Sequence, residues 1–95
     1  METIDRISIS ENDVAVEILH SALKHGITAA DIIFALDHTV YDETIMIDPN
    51  QTLIVGFDAS ANPIEVIFHV LSDEKIVVFH AMRCRKKYVA KAFER

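Results

Sequence analysis

The chain reads as an α+β domain, with two N-terminal helices packed on a four-stranded antiparallel meander and a further helix at the C-terminus. Three observations predict this arrangement. Up to about residue 38, apolar side chains recur every three or four positions; from Thr39 to Met82 they largely alternate; beyond Cys84 the helical period returns. The 95 residues suffice for one hydrophobic core, and no linker, repeat or low-complexity stretch divides them, so residues 1–95 are read as a single domain.

Taken in order, Ile4, Ile7 and Ile9 suit a short edge strand. Ser10 followed by Asp13 resembles a capping box, and Val14, Ile18, Ala22, Leu19 and Leu23 then fall at helical spacing, ending at Gly26. This predicts a first helix over about residues 11 to 25. Thr28 caps a shorter second helix, with Asp31 in its first turn and Ala29, Ile32, Ile33 and Leu36 as the buried stripe, closing at Asp37-His38. Four strand-like runs come next, TVYDETIMI, TLIVGFD, PIEVIFHVL and KIVVFHAM, separated by DPNQ, ASAN and SDE. Connections this short join antiparallel neighbours. The last two runs are apolar on both faces, which places them centrally or under cover on both sides. In CRKKYVAKAFER, Tyr88, Val89, Ala92 and Phe93 share one helical face.

Charge is divided unevenly. The chain carries −6 overall, yet residues 83 to 95 hold six cations against Glu94 alone, a local +5 that leaves −11 on the other 82 residues. Such a division suits an acidic body with a basic binding edge, or a tail folded back on its own acids. The acid-bearing N-terminus lacks the basic and apolar pattern of a signal peptide, and no apolar run is long enough for a membrane span, so the expectation is a cytoplasmic protein with no membrane partner. The single cysteine, Cys84, argues against disulfide or zinc frameworks.

A two-residue Asp73-Glu74 loop pairs His69 with Val78 and Ile67 with His80, placing Glu65, His69, His80 and Met82 on one sheet face and Arg83 on the other. His80 is then either a buried, hydrogen-bonded histidine or a functional one. Glu65 reads most simply as exposed near a strand start. Glu65, His69 and His80 are a possible metal set, but no HxH or HExxH spacing enforces their convergence, so no metal and no cofactor are expected. The arginines and lysine flanking Cys84 should lower its pKa.

The run Arg83, Arg85, Lys86, Lys87 and Tyr88 offers guanidinium forks and ammonium groups for phosphate, beside an aromatic ring able to stack on an unpaired base. That combination suits single-stranded RNA; equally, the charges form a solvated helix face and Tyr88 belongs to the core. Lys24 and His25 at the end of the first helix are also explained by the helix dipole alone.

"LKHGIT", "AADIIFAL", "LIVGFDASANPIEVIF" and "KIVVFHAMRCRKKYVAKAF" resemble, in order and spacing over roughly residues 20 to 93, the BrnT-like toxins of bacterial type II toxin-antitoxin systems. They resemble more closely a group of short actinobacterial toxin proteins ending in a HAMxxRxKY pattern. The resemblance implies a RelE/ParE-like fold and a metal-independent endoribonuclease silenced by a cognate antitoxin. Its matching positions are Lys24 and His25, Arg83 or Arg85, and Lys87 and Tyr88; together with His80 and Lys86, read from the sequence itself, the expected catalytic residues are His80, Arg83, Arg85 and His25 and the expected RNA contacts Lys24, Lys86, Lys87 and Tyr88. His80 departs from the pattern, which usually has a serine there, and the acidic body is poor at steering RNA. A non-catalytic interaction domain or homo-oligomer with a basic C-terminal helix is the reading from another class. A small enzyme built on Glu65, His69 and His80 is a third, requiring those side chains to converge.

Overall fold

Strand structure begins earlier in the chain than the helical spacing suggests. The computed structural model describes residues 3–9 and 14–94. Its elements are β1 (Thr3–Ile9), β2 (Val14–Leu19), a 3-10 turn (His20–Leu23), α1 (Ala29–Asp37), β3 (Tyr41–Met46), β4 (Gln51–Phe57), β5 (Pro63–Ser72), β6 (Lys75–Arg83) and α2 (Lys86–Phe93). They build one six-stranded sheet in the order β1-β2-β6-β5-β4-β3. All neighbours are antiparallel except β2 and β6, which run parallel, so the sheet is mixed.

This corrects the expected two helices on a four-stranded antiparallel meander, and with it the fold implied by the toxin resemblance. The segment predicted as the first helix forms β2 and the 3-10 turn. Val14, Ile18 and Ala22 fit a helical stripe, but Val14, Val16 and Ile18 fit an alternating one equally well, and their branching at Cβ favours extended backbone. Pairing decided the matter, because β2 finds β1 on one side and β6 on the other, with Val16 and Ile18 wholly buried. The Ser10–Asp13 capping box lies outside the described residues.

The second helix forms as its cap predicts. Thr28 Oγ1 accepts from the Asp31 backbone N–H at 3.1 Å, and Ile32 and Ala35 are fully buried. Gly26, at φ +85°, supplies the left-handed residue that turns the chain from the 3-10 turn towards α1. α1 lies on one sheet face, where Ile32 and Ala35 join Val16, Ile18, Ile54, Ile64, Val66 and Val78. α2 lies on the other, with Tyr88 packed among Leu53, Val55 and Ile67. α1 covers β4 and β5 on its face, the 3-10 turn runs along β6, and α2 lies chiefly over β4.

The β5–β6 ladder is irregular. Phe68 pairs with Val78 but Ile67 pairs with His80, so β6 carries an extra residue, Phe79, at a bulge. The Ile67–His80 pairing is the expected one; towards the loop His69 faces Val77 rather than Val78, because a second shift lies between Val70 and Ser72.

Candidate functional site

Glu65 is the centre of the site. It sits in an otherwise apolar strand, paired with Val55 on one side and Met82 on the other, and its side chain is wholly buried, which corrects its reading as an exposed residue. An isolated carboxylate in such a place is untenable, and four donors surround this one. His80 Nε2 donates to Oε2 at 2.9 Å. Arg85 approaches with its backbone N–H at 2.9 Å, its Nε at 3.0 Å from both oxygens, and Nη2 at 2.7 Å from Oε2. Burial raises the Glu65 pKa, but the Arg85 side chain and backbone and the His80 ring more than offset it, and the carboxyl stays below its ordinary range.

Sequence and fold explain why Arg85 arrives there. β6 ends at Arg83, Cys84 N–H donates to the Pro63 carbonyl at 3.0 Å, and Arg85 is the extended N-cap residue of α2. The buried carboxylate therefore pins the strand-to-helix junction while orienting a guanidinium whose side chain stays 44% exposed. Nη1 makes no hydrogen bond among the described residues.

His80 is held by this arrangement in one tautomer. An ionised carboxylate only accepts, so Nε2 carries the hydrogen and Nδ1 of the neutral ring is the acceptor. Beside it stands His25, its ring centroid 5.7 Å from that of His80 in an edge-on arrangement. His25 reaches this point because the 3-10 turn runs alongside β6, where Ser21 Oγ donates to the Phe79 carbonyl at 2.8 Å. Two imidazoles, one oriented by a carboxylate, thus face solvent next to a fixed guanidinium. Lys24 precedes His25, Lys86 follows Arg85, and both are exposed.

The remaining sequence candidates fall elsewhere. Arg83 points to the opposite face and pairs with Asp58 at 3.1 Å. Tyr88 is a core residue, with Arg85, Lys87 and Lys91 at 4.9 to 5.8 Å from its ring centroid, so its faces are taken and no base can stack on them. Lys91 pairs with Glu43. The Cys84 thiol is not activated as its cationic neighbours suggested: burial, then the Glu65 charge, pushes its pKa up to about 11 despite Arg85. His69 does not join Glu65 and His80 but lies on Phe79, ring centroids 4.5 Å apart. Among the described residues no three His, Cys, Asp or Glu side chains gather as a metal would require. A trough of about 780 Å³ lies between β3 and the C-terminal half of α2, lined by Thr39, Tyr41, Asp42, Lys91 and Glu94 with Val40 and Ala90, and none of Glu65, His80, Arg85 or His25 lines it.

Sequence reasoning named His80, His25 and Arg85 but missed Glu65 as their organiser. The available signal was a lone acid within PIEVIFHVL, on the same face as His80. No described helix is long and apolar enough to cross a membrane. No family model, curated protein or solved structure matches the chain.

Proposed function

We propose that the protein is a metal-independent endoribonuclease acting at the Glu65, His80, Arg85 and His25 centre, and that it serves as the toxin of a type II toxin-antitoxin pair. The fold implied by the resemblance is absent, so the reading rests on the site. The observation that carries it is His80, fixed by a buried carboxylate and set against a second imidazole and a guanidinium.

In this mechanism Nδ1 of His80 takes the proton from a ribose 2′-OH, whose oxygen attacks the adjacent phosphorus. The bond from phosphorus to the 5′-oxygen breaks, and protonated His25 delivers a proton to that leaving oxygen. The products are a 2′,3′-cyclic phosphate and a 5′-hydroxyl. Glu65 stabilises the imidazolium that forms on His80, and Arg85 Nη1 meets charge on the non-bridging oxygens. Lys24 and Lys86 hold the flanking backbone. The partners of this reading are RNA and a cognate antitoxin, whose gene would be a short neighbouring reading frame for a DNA-binding protein.

Expression in a bacterial host tests it. Growth arrest with fragmented RNA is expected, and His80→Gln should lower cleavage by roughly 10²- to 10⁴-fold with little change in RNA affinity. Untouched growth and RNA, or full activity in the His80→Gln, His25→Ala double variant, would overturn it.

A second reading, a non-catalytic interaction domain, is favoured by β3. It is one of the sheet's two outer strands and, with the turn that follows it, leaves Ile45, Met46 and Ile47 exposed, Ile47 at 85%. A doubled mass that survives high salt and disappears on Ile47→Lys supports a homodimer through this edge. A monomeric mass throughout removes it.

A further inference from the structure

We infer that the His69 ring, backed by Phe79, forms a nucleobase platform beside His80, so that the RNA taken at this site is single-stranded, with one base unstacked next to the scissile phosphate. The inference rests on the ribonuclease reading and adds how that site would hold a base. The β6 bulge is its first support. In a regular strand consecutive side chains point to opposite faces, but the extra residue lets Phe79 and His80 both serve the α2 face. Phe79 packs against the Leu53, Val55, Ile67 and Tyr88 cluster, which holds its ring in place.

The His69 ring is the second support. It lies over Phe79 at 4.5 Å between centroids, tilted by 30°, and both residues are only partly buried. A polar, flat ring thus caps an apolar one on the face that carries the reacting imidazoles. The third support is the Ser21 hydrogen bond to the Phe79 carbonyl, which ties platform backbone and His25 turn together, so base and phosphate subsites keep a fixed separation. Every nucleobase offers a π-face, and stacking on such a ring strengthens binding by roughly tenfold or more without strong sequence preference. Bases in an A-form duplex are stacked on each other and cannot reach the sheet. The same unstacking frees the backbone for in-line attack.

The test uses the full chain and a short oligonucleotide carrying 2-aminopurine, with a 2′-O-methyl sugar that blocks cleavage. Single strands should bind with quenched fluorescence, and the same strand annealed to its complement should bind much more weakly. His69→Ala and the milder Phe79→Leu should each weaken binding by about tenfold or more. On unmodified RNA they should raise KM by a similar factor and leave kcat near the parent value, a split that a merely structural role would not produce. If Phe79→Leu fails to fold, His69→Ala decides. Unquenched fluorescence, equal duplex binding, or unaltered affinity in the variants overturns the platform even where cleavage persists. Quenching without any cleavage of unmodified RNA keeps the platform and overturns the ribonuclease reading instead.

Discussion

At the scale of single residues, Glu65 and Arg85 are unequal partners although they share three side-chain hydrogen bonds. Arg85 is 44% exposed and regains water if Glu65 is neutralised, whereas Glu65 has no exposed surface and keeps only His80 and a backbone N–H if the guanidinium goes. Removing one partner of a buried pair is costly because of the charge left behind. Arg85→Ala should therefore destabilise by about 3 kcal/mol or more, and Glu65→Gln by about 1.5 kcal/mol. Urea unfolding of both variants checks the order, and a costlier Glu65→Gln would refute this account of the junction. The pH dependence has a definite sign. The Glu65 carboxyl titrates below its ordinary range, so its contribution is complete at neutral pH and is lost as pH falls through the folded value. Stability of Glu65→Gln should consequently fall less steeply into acid than that of the parent.

At the scale of elements, α1 and β4 approach so closely that only glycine fits between them. A Cβ on Gly56 would overlap the backbone of Ala35, including its carbonyl oxygen, and no flexible side-chain end is available to give way. Gly56→Ala should cost about 1 to 3 kcal/mol through displacement of α1, measured by thermal or urea unfolding. Near-parent stability would show that α1 slides freely on the sheet. The same helix was legible in the sequence, because Thr28 and Asp31 state its start locally and Ile32 and Ala35 state its buried side. The four later strands were legible too, since their alternation and turn residues are local signals. β2 was not, because its residues satisfy both periods and only the parallel contact with β6, some sixty residues on, selects between them. The site divides along the same line. His25, His80 and Arg85 were recognisable by residue type, but the burial of Glu65 depends on the β6-to-α2 junction bringing Arg85 onto it, and the common face of Phe79 and His80 depends on a bulge that no composition announces.

For the whole molecule, the charge division decides how strongly RNA can be held. The tail's +5 overstates what is offered, because Arg83 answers Asp58, Arg85 answers Glu65 and Lys91 answers Glu43. Lys24, Lys86 and Lys87 are exposed and make no ion pair with the described residues, and Arg85 adds one outward nitrogen. Under the proposed function three or four cations would therefore meet phosphates, against a body that repels them at longer range. Counterion release for single strands scales at about 0.7 per phosphate neutralised, so the logarithm of affinity should fall with the logarithm of salt at a slope of about −2 to −3. Lys24→Ala and Lys86→Ala should each reduce that slope by about 0.7, while Arg83→Ala, which frees Asp58 on the opposite face, should leave it almost unchanged. Titrating a labelled single strand at several salt concentrations measures all of these. A slope near zero would remove RNA as the ligand of the His25–His80 centre; a slope that depends on Arg83 and not on Lys24 would move the phosphate track to the α1 face of the sheet.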